Sequence, residues 1–141
     1  MRWFLLTFLF SSPALAWEFH PGLPCRLTHS MGADEVELTY DPTQPLYTIS
    51  LTRSAGWKHA DVFSIEFIGP RGLVISTDRQ GISSDGKTLS VADTGFGNVL
   101  NGLQFNQIAR ARLGAQSLDI SLEGAANPVD EFRRCEAEAG V

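Results

Sequence analysis

Cysteine is scarce in this chain, and so is lysine. Only Cys25 and Cys135 occur in 141 residues, and only Lys58 and Lys87 carry an ammonium group. The other cations are scattered arginines, and acidic residues outnumber basic ones by 16 to 11. A net charge of −5 with no basic stripe lacks the footprint of a nucleic-acid binder or of attachment to anionic membranes. Long apolar runs are missing too. The N-terminal run Trp3–Phe10 has eight residues, against the ~20 that cross a bilayer as a helix. Short-range metal signatures such as C-x2-C or H-x3-H are absent. His20, His29 and His59 fall in three separate segments and read as surface histidines, so no metal is implied. There is no G-x-S-x-G elbow behind a serine triad. Gly95-x-Gly97 is half of a dinucleotide fingerprint, without the third glycine or a long following helix, and implies no cofactor.

What is present begins with an address. Arg2, the apolar run and Ala14-Leu15-Ala16 make the charged, hydrophobic and small-x-small parts of a signal peptide over residues 1–16. A retained anchor is the competing reading. No cysteine follows the cleavage site, which disfavours a lipoprotein anchor. Cleavage leaves residues 17–141 as one β-rich domain of 125 residues, and losing Arg2 takes the charge to −6. The expected location is periplasmic or secreted. In an exported protein, two cysteines are most economically a disulfide. A Cys25–Cys135 bridge spans 110 residues of sequence. Chain entropy alone gives such a closure on the order of 4–5 kcal/mol.

The body of the chain alternates with period two. Phe63, Ile65 and Phe67 face one way, then Leu73 and Ile75 resume that face after the Gly69-Pro70-Arg71-Gly72 turn. This is the pattern of a half-buried strand pair. Cys25–Ser30 reads as a short strand after a Pro- and Gly-punctuated entry, residues 17–24. Val36, Leu38 and Tyr40, then Tyr47, Ile49 and Leu51, flank the break at Asp41-Pro42 as a hairpin. Ser84-Asp85-Gly86-Lys87 marks another tight turn. Val99 and Leu100 suggest one helical turn stopped by Asn101-Gly102. Residues 103–113 fit strand or helix, and alternation favours a strand paired with Leu118, Ile120 and Leu122. Asn127 as N-cap with Pro128 behind it predicts a helix to about Glu138, with Phe132 and Cys135 one turn apart. The fold class is therefore mainly β: an antiparallel sandwich or partly closed barrel, with a C-terminal helix stapled by the disulfide.

The tail SLDISLEGAANPVDEFRRC, a strand ending in Leu-Glu-Gly and then a capped helix ending in cysteine, resembles that of invasion-associated protein B and its relatives. The chain from Trp17, with its Gly95-Phe96-Gly97-Asn98 loop, also resembles a group of short periplasmic alphaproteobacterial proteins that brings no activity with it. Ser90-Val91-Ala92-Asp93-Thr94-Gly95 is similar to the active-site loop of aspartic proteases, in which two such aspartates share a proton. One motif per chain would require a dimer, and Phe96 stands where that family places a small residue. In the plainer reading, Asp93 serves turn geometry. Trp17, Trp57 and Phe96 read as caps on the ends of a β core. The expectation is a non-catalytic interaction or binding module for a periplasmic protein or small ligand. A small aspartic-type hydrolase using Asp93, or an enzyme inhibitor, is the alternative. No catalytic residue is assigned.

Overall fold

The structure, a computed structural model, describes residues 17–139, with side chains to Cys135. The expected signal peptide lies outside the described residues. The strands are β1 (Trp17–His20), β2 (Cys25–Met31), β3 (Asp34–Asp41), β4 (Leu46–Thr52), β5 (Phe63–Ile68), β6 (Leu73–Thr77), β7 (Gly81–Ile82), β8 (Thr88–Asp93), β9 (Ile108–Leu113) and β10 (Gln116–Ser121). Helix α1 (Gly97–Phe105) joins β8 to β9, and α2 (Ala126–Ala139) ends the described chain. The strands form two separate antiparallel sheets, one in the order β1-β2-β3-β4-β8-β7 and the other β10-β9-β5-β6. The described strands thus make a mainly β sandwich rather than a closed barrel.

Side-chain parity accounts for the core. In β3 and β4 the buried set is Val36, Leu38, Tyr40, Tyr47, Ile49 and Leu51, which the register places opposite one another. The second sheet contributes Phe63, Ile65 and Phe67 from β5, Ala109, Ala111 and Leu113 from β9, and Leu118 and Ile120 from β10. A residue on the wrong parity would turn each strand's apolar set toward water. The Phe63–Thr77 hairpin pairs as the alternation requires.

Four local expectations change. Residues 17–20 are a strand and not an irregular entry, with Trp17 opposite His29 in β2. His29 is buried and not on the surface, because it shares the inward parity of Cys25 and Leu27. Its ring stacks on Trp17 with centroids 4.4 Å apart. Residues 103–105 belong to α1, which runs through Gly102 instead of stopping there. Gly102 lies against the Phe67 ring, where any Cβ would collide. That close approach outweighs the ~1 kcal/mol helix cost of glycine relative to alanine. Finally, α2 opens earlier than Asn127: the Val129 N–H donates to the Ala125 carbonyl at 2.9 Å. Pro128 then sits within the first turn, where its missing N–H removes no helical bond.

The predicted staple is present. Cys25 and Cys135 form a disulfide with their Cα atoms 6.6 Å apart. Helix α2 packs on β1, β2 and α1. Phe132 is fully buried, 6.1 Å between ring centroids from Tyr47, which also meets Tyr40 and Phe96. Arg133 ties the two helices, donating to Gln104 Oε1 at 2.8 Å and Asn101 Oδ1 at 2.6 Å. Replacing both cysteines by alanine is expected to lower stability by about 2–5 kcal/mol. Phe132→Ala alone is expected to remove about 3–5 kcal/mol. Because both changes act on one contact, the triple variant should fall short of their sum in urea denaturation.

The turns are held by carboxylates. Asp41 Oδ1 accepts from the Thr43 hydroxyl at 2.6 Å and the Thr43 N–H at 2.9 Å. Asp85 accepts from the Ser83 hydroxyl and the Lys87 N–H, bracing a turn in which Gly86 takes φ 74°. On β10, Asp119 accepts from Arg110 Nε at 2.8 Å. Each hydrogen bond favours the ionised form: the Thr43 hydroxyl, the Ser83 hydroxyl and the Arg110 guanidinium hold the three carboxyls below the usual aspartate value of 3.8. A depressed folded pKa adds stability that is complete above the unfolded value and is lost as pH falls through the folded one. The urea midpoint should therefore hold at pH 5 and decline below about 3.8. The triple Asp41, Asp85 and Asp119→Asn variant should show a shallower decline over the same range.

Candidate functional site

A sandwich has two lateral seams, and here they differ. On one side β1 and β10 are the outer strands, and the Trp17 indole N–H donates to the Ser121 carbonyl at 2.9 Å. Trp17 is buried there, so one side chain seals that seam. On the other side β6 edges one sheet and β7 the other. Strand β7 has only two residues, paired to Ser90 and Leu89. Beyond Ser90, β8 has no strand partner on that side among the described residues.

A cleft of about 670 Å³ opens at this second seam. Its floor is apolar, with Ile49, Phe63, Ile65 and Phe96. The walls are Ile75–Thr77 of β6 and Val91–Asp93 of β8, and the first turn of α1 closes one end. Ile75, Val91 and Val99 are only partly buried where they pack against the core. Arg79 and Asp93 are exposed members of the lining, and neither joins an ion pair among the described residues. A smaller hollow of about 410 Å³ lies beside the disulfide, lined by Phe19, Leu23 and Cys135 among others.

Asn106, directly after α1, ties one wall of the cleft to this helix. Its amide Nδ2 donates to the carbonyls of Arg71 and Gly102, both at 3.0 Å, and its Oδ1 accepts from the Arg71 N–H at 3.0 Å. One buried side chain thus locks the β5–β6 turn to the last turn of α1. The Arg71 guanidinium also lies over the Phe105 ring at 4.5 Å. Gly69 at φ 155° lets the turn pass within contact of Asn106, where a Cβ would clash. Both β6 and α1 line the cleft, so this clamp fixes one wall relative to its end.

The residues singled out from the sequence are dispersed. Asp93 ends β8 on the inward parity of Leu89 and Val91, and its carboxylate accepts from the Thr94 N–H at 2.6 Å. That is the expected turn role, together with a place in the cleft that the sequence did not disclose. Among the described residues no other acidic residue lines this cleft. Ile120–Gly124, the only later segment that could complete a protease-like pattern, belongs to the other sheet and the turn after it. His20, His29 and His59 do not converge, and no cluster of three metal-ligating groups occurs among the described residues. Trp17, Trp57 and Phe96 are all buried at the margins of the core, as expected of caps. Trp57 is held by its indole N–H, which donates to the Leu51 carbonyl at 3.0 Å.

No family model and no curated protein matches the chain. The crystal structure of invasion associated protein B from Bartonella henselae is similar to it, with a TM-score of 0.61 over 86% of this chain and 94% of that one. The two share 12% sequence identity, so the likeness is one of fold. The strand, glycine turn and helix of the tail are β10, Gly124 at φ 76° and α2.

Asn106→Ala is expected to strand the Arg71 N–H and two carbonyls, at a cost of about 1–3 kcal/mol. Amide resonances of β6 and α1 should broaden or shift, while those of β2 and β3 stay in place. Uniform shifts across both sheets would show that Asn106 serves global stability and not this wall.

Proposed function

We propose that the chain is an exported binding module, without catalytic activity of its own, that receives an apolar group of its partner in the cleft between β6 and β8. The carrying observation is the open seam: among the described residues β6 and the end of β8 keep free edges there, and Ile75, Val91 and Val99 stay partly exposed over the buried Ile49, Phe63, Ile65 and Phe96. Water there covers apolar surface that a ligand would release, at roughly 25 cal/mol per Å². Binding pockets are typically concave and apolar with a few polar groups at the rim, which Arg79 and Asp93 supply.

Export rests on residues 1–16 as a signal peptide and on the disulfide, a bond of oxidising compartments. Among the described residues, no helix is long and apolar enough to cross a membrane. Exported protein from a bacterial host should begin at Trp17 by mass measurement. The aspartic-type hydrolase needs a second carboxylate beside Asp93, and among the described residues none lines this cleft. The fold likeness to invasion associated protein B supports a module of this architecture and carries no activity across.

Val91→Trp places an indole in the cleft at a partly open position and tests the reading. The neutral dye Nile red should brighten with the mature chain and lose at least tenfold in affinity with Val91→Trp, at unchanged thermal unfolding. Affinity capture from periplasmic extract should lose its partner with the same variant. Equal dye binding and equal capture by both proteins would overturn the reading.

A further inference from the structure

The cleft walls carry information about the shape of what fits. Successive side chains in a strand point to opposite faces. Yet three consecutive residues of β6, Ile75, Ser76 and Thr77, line the same cleft, and so do three of β8, Val91, Ala92 and Asp93. Three consecutive neighbours on one boundary are what a strand presents along its edge, so the edges of β6 and β8 border the cleft. Both edges are also unpaired. Strand β6 bonds only to β5, and β8 beyond Ser90 bonds only to β4, among the described residues. Packed sheets lie about 10 Å apart and hydrogen-bonded strands about 4.8 Å, so a strand bonded to both edges of a seam spans about one sheet spacing.

We propose that the occupant is an extended peptide segment of a partner protein, which adds as a strand between β6 and β8 and closes the sandwich along its open seam. This rests on the binding-module reading above and names its ligand class. Only a chain with both edges free can hydrogen-bond to both walls. A second copy of this domain cannot supply one from its folded sheets, because its β6 is already bonded to β5 and its β8 to β4. An acyl chain would fill the floor and leave both edges unbonded. The floor, with Ile49, Phe63 and Ile65, takes apolar side chains at every second peptide position. Arg79 and Asp93, ions of opposite sign at the rim that join no ion pair among the described residues, select one acidic and one basic side chain in the intervening polar positions. Main-chain bonds supply affinity in this mode, and alternate side chains supply specificity.

The experiment selects random seven-residue peptides, displayed on phage, against the disulfide-bonded mature chain and elutes them with Nile red. Enriched peptides should alternate apolar and polar residues and carry one charge of each sign. Synthesised as blocked peptides, they should lose at least tenfold in affinity when alternate amides are N-methylated, because side chains remain and donors are removed. Selection against Arg79→Glu should exchange the acidic preference for a basic one, and Asp93→Lys the reverse. Amide exchange at residues 73–77 and 91–93 should slow on binding. If N-methylated and parent peptides bind within twofold, or if no dye-eluted peptide is enriched, strand addition is overturned. The binding-module reading survives that result while Nile red still depends on Val91, and both fall if it does not.

Discussion

Two stacked sheets must exclude water along both lateral seams, because side chains that pair across the middle of a sandwich have no neighbours at its margins. This chain meets the constraint on one side with Trp17. Its ring lies on buried His29, and its N–H reaches the Ser121 carbonyl of the opposite sheet. A single residue therefore supplies both apolar cover and a hydrogen bond across the seam, and its polar atom is satisfied in doing so. The other seam has no such residue. Strand β7 ends after two residues, and Ile75 of β6 and Val91 of β8 stay partly open.

The ends of the sandwich are treated differently from the seams. At one end α2 lays Phe132 onto Tyr47 beside Phe96, and the disulfide fixes that helix to β2. Helix α1 seats Gly102 on Phe67, and Asn106 bonds the helix end to the β5–β6 turn. These contacts hold the walls of the open seam from outside it. A rigid frame around an unfilled margin reduces the entropy lost when a ligand is ordered there. The same frame bears on how an exposed edge is tolerated. The β6 sequence, Leu-Val-Ile-Ser-Thr, carries no charge or proline to discourage pairing with other chains. Its position inside a cleft, bounded by α1, restricts access to a single thin segment.

Most of the sheet was legible because alternation is a local property. The inward sets of β3, β4, β5 and β10 stand where period two places them, and the turns at Gly86 and Gly69 fall at their Gly-containing breaks. The Cys25–Cys135 bridge and the burial of Phe132 followed from cysteine count and helical spacing. Errors arose where punctuation misled. Pro21, Gly22 and Pro24 hid β1, which is real because Trp17 finds a partner 104 residues away. Gly102 hid the second half of α1, where the glycine lies against the Phe67 ring. The burial of His29 is encoded in its parity with Cys25 and Leu27, which outranks the usual surface preference of histidine. The cleft was not legible at all. Which strands become edges, and which seam stays open, depends on strand order, and nothing in a local pattern encodes it. Asp93 was noticed for a motif, whereas its place in the structure is the rim of a groove.

The account turns on whether the seam between β6 and β8 is open in solution while the Trp17 seam is shut. Amide hydrogen exchange of the free, disulfide-bonded chain measures this directly. Exchange should be fast for the edge-facing amides within residues 73–77 and 91–93. The amides of β2, β3, β5 and β9, each flanked by strands on both sides, should exchange slowly. Protection of residues 73–77 and 91–93 equal to that of the central strands would mean that the seam is already closed, and would contradict the account.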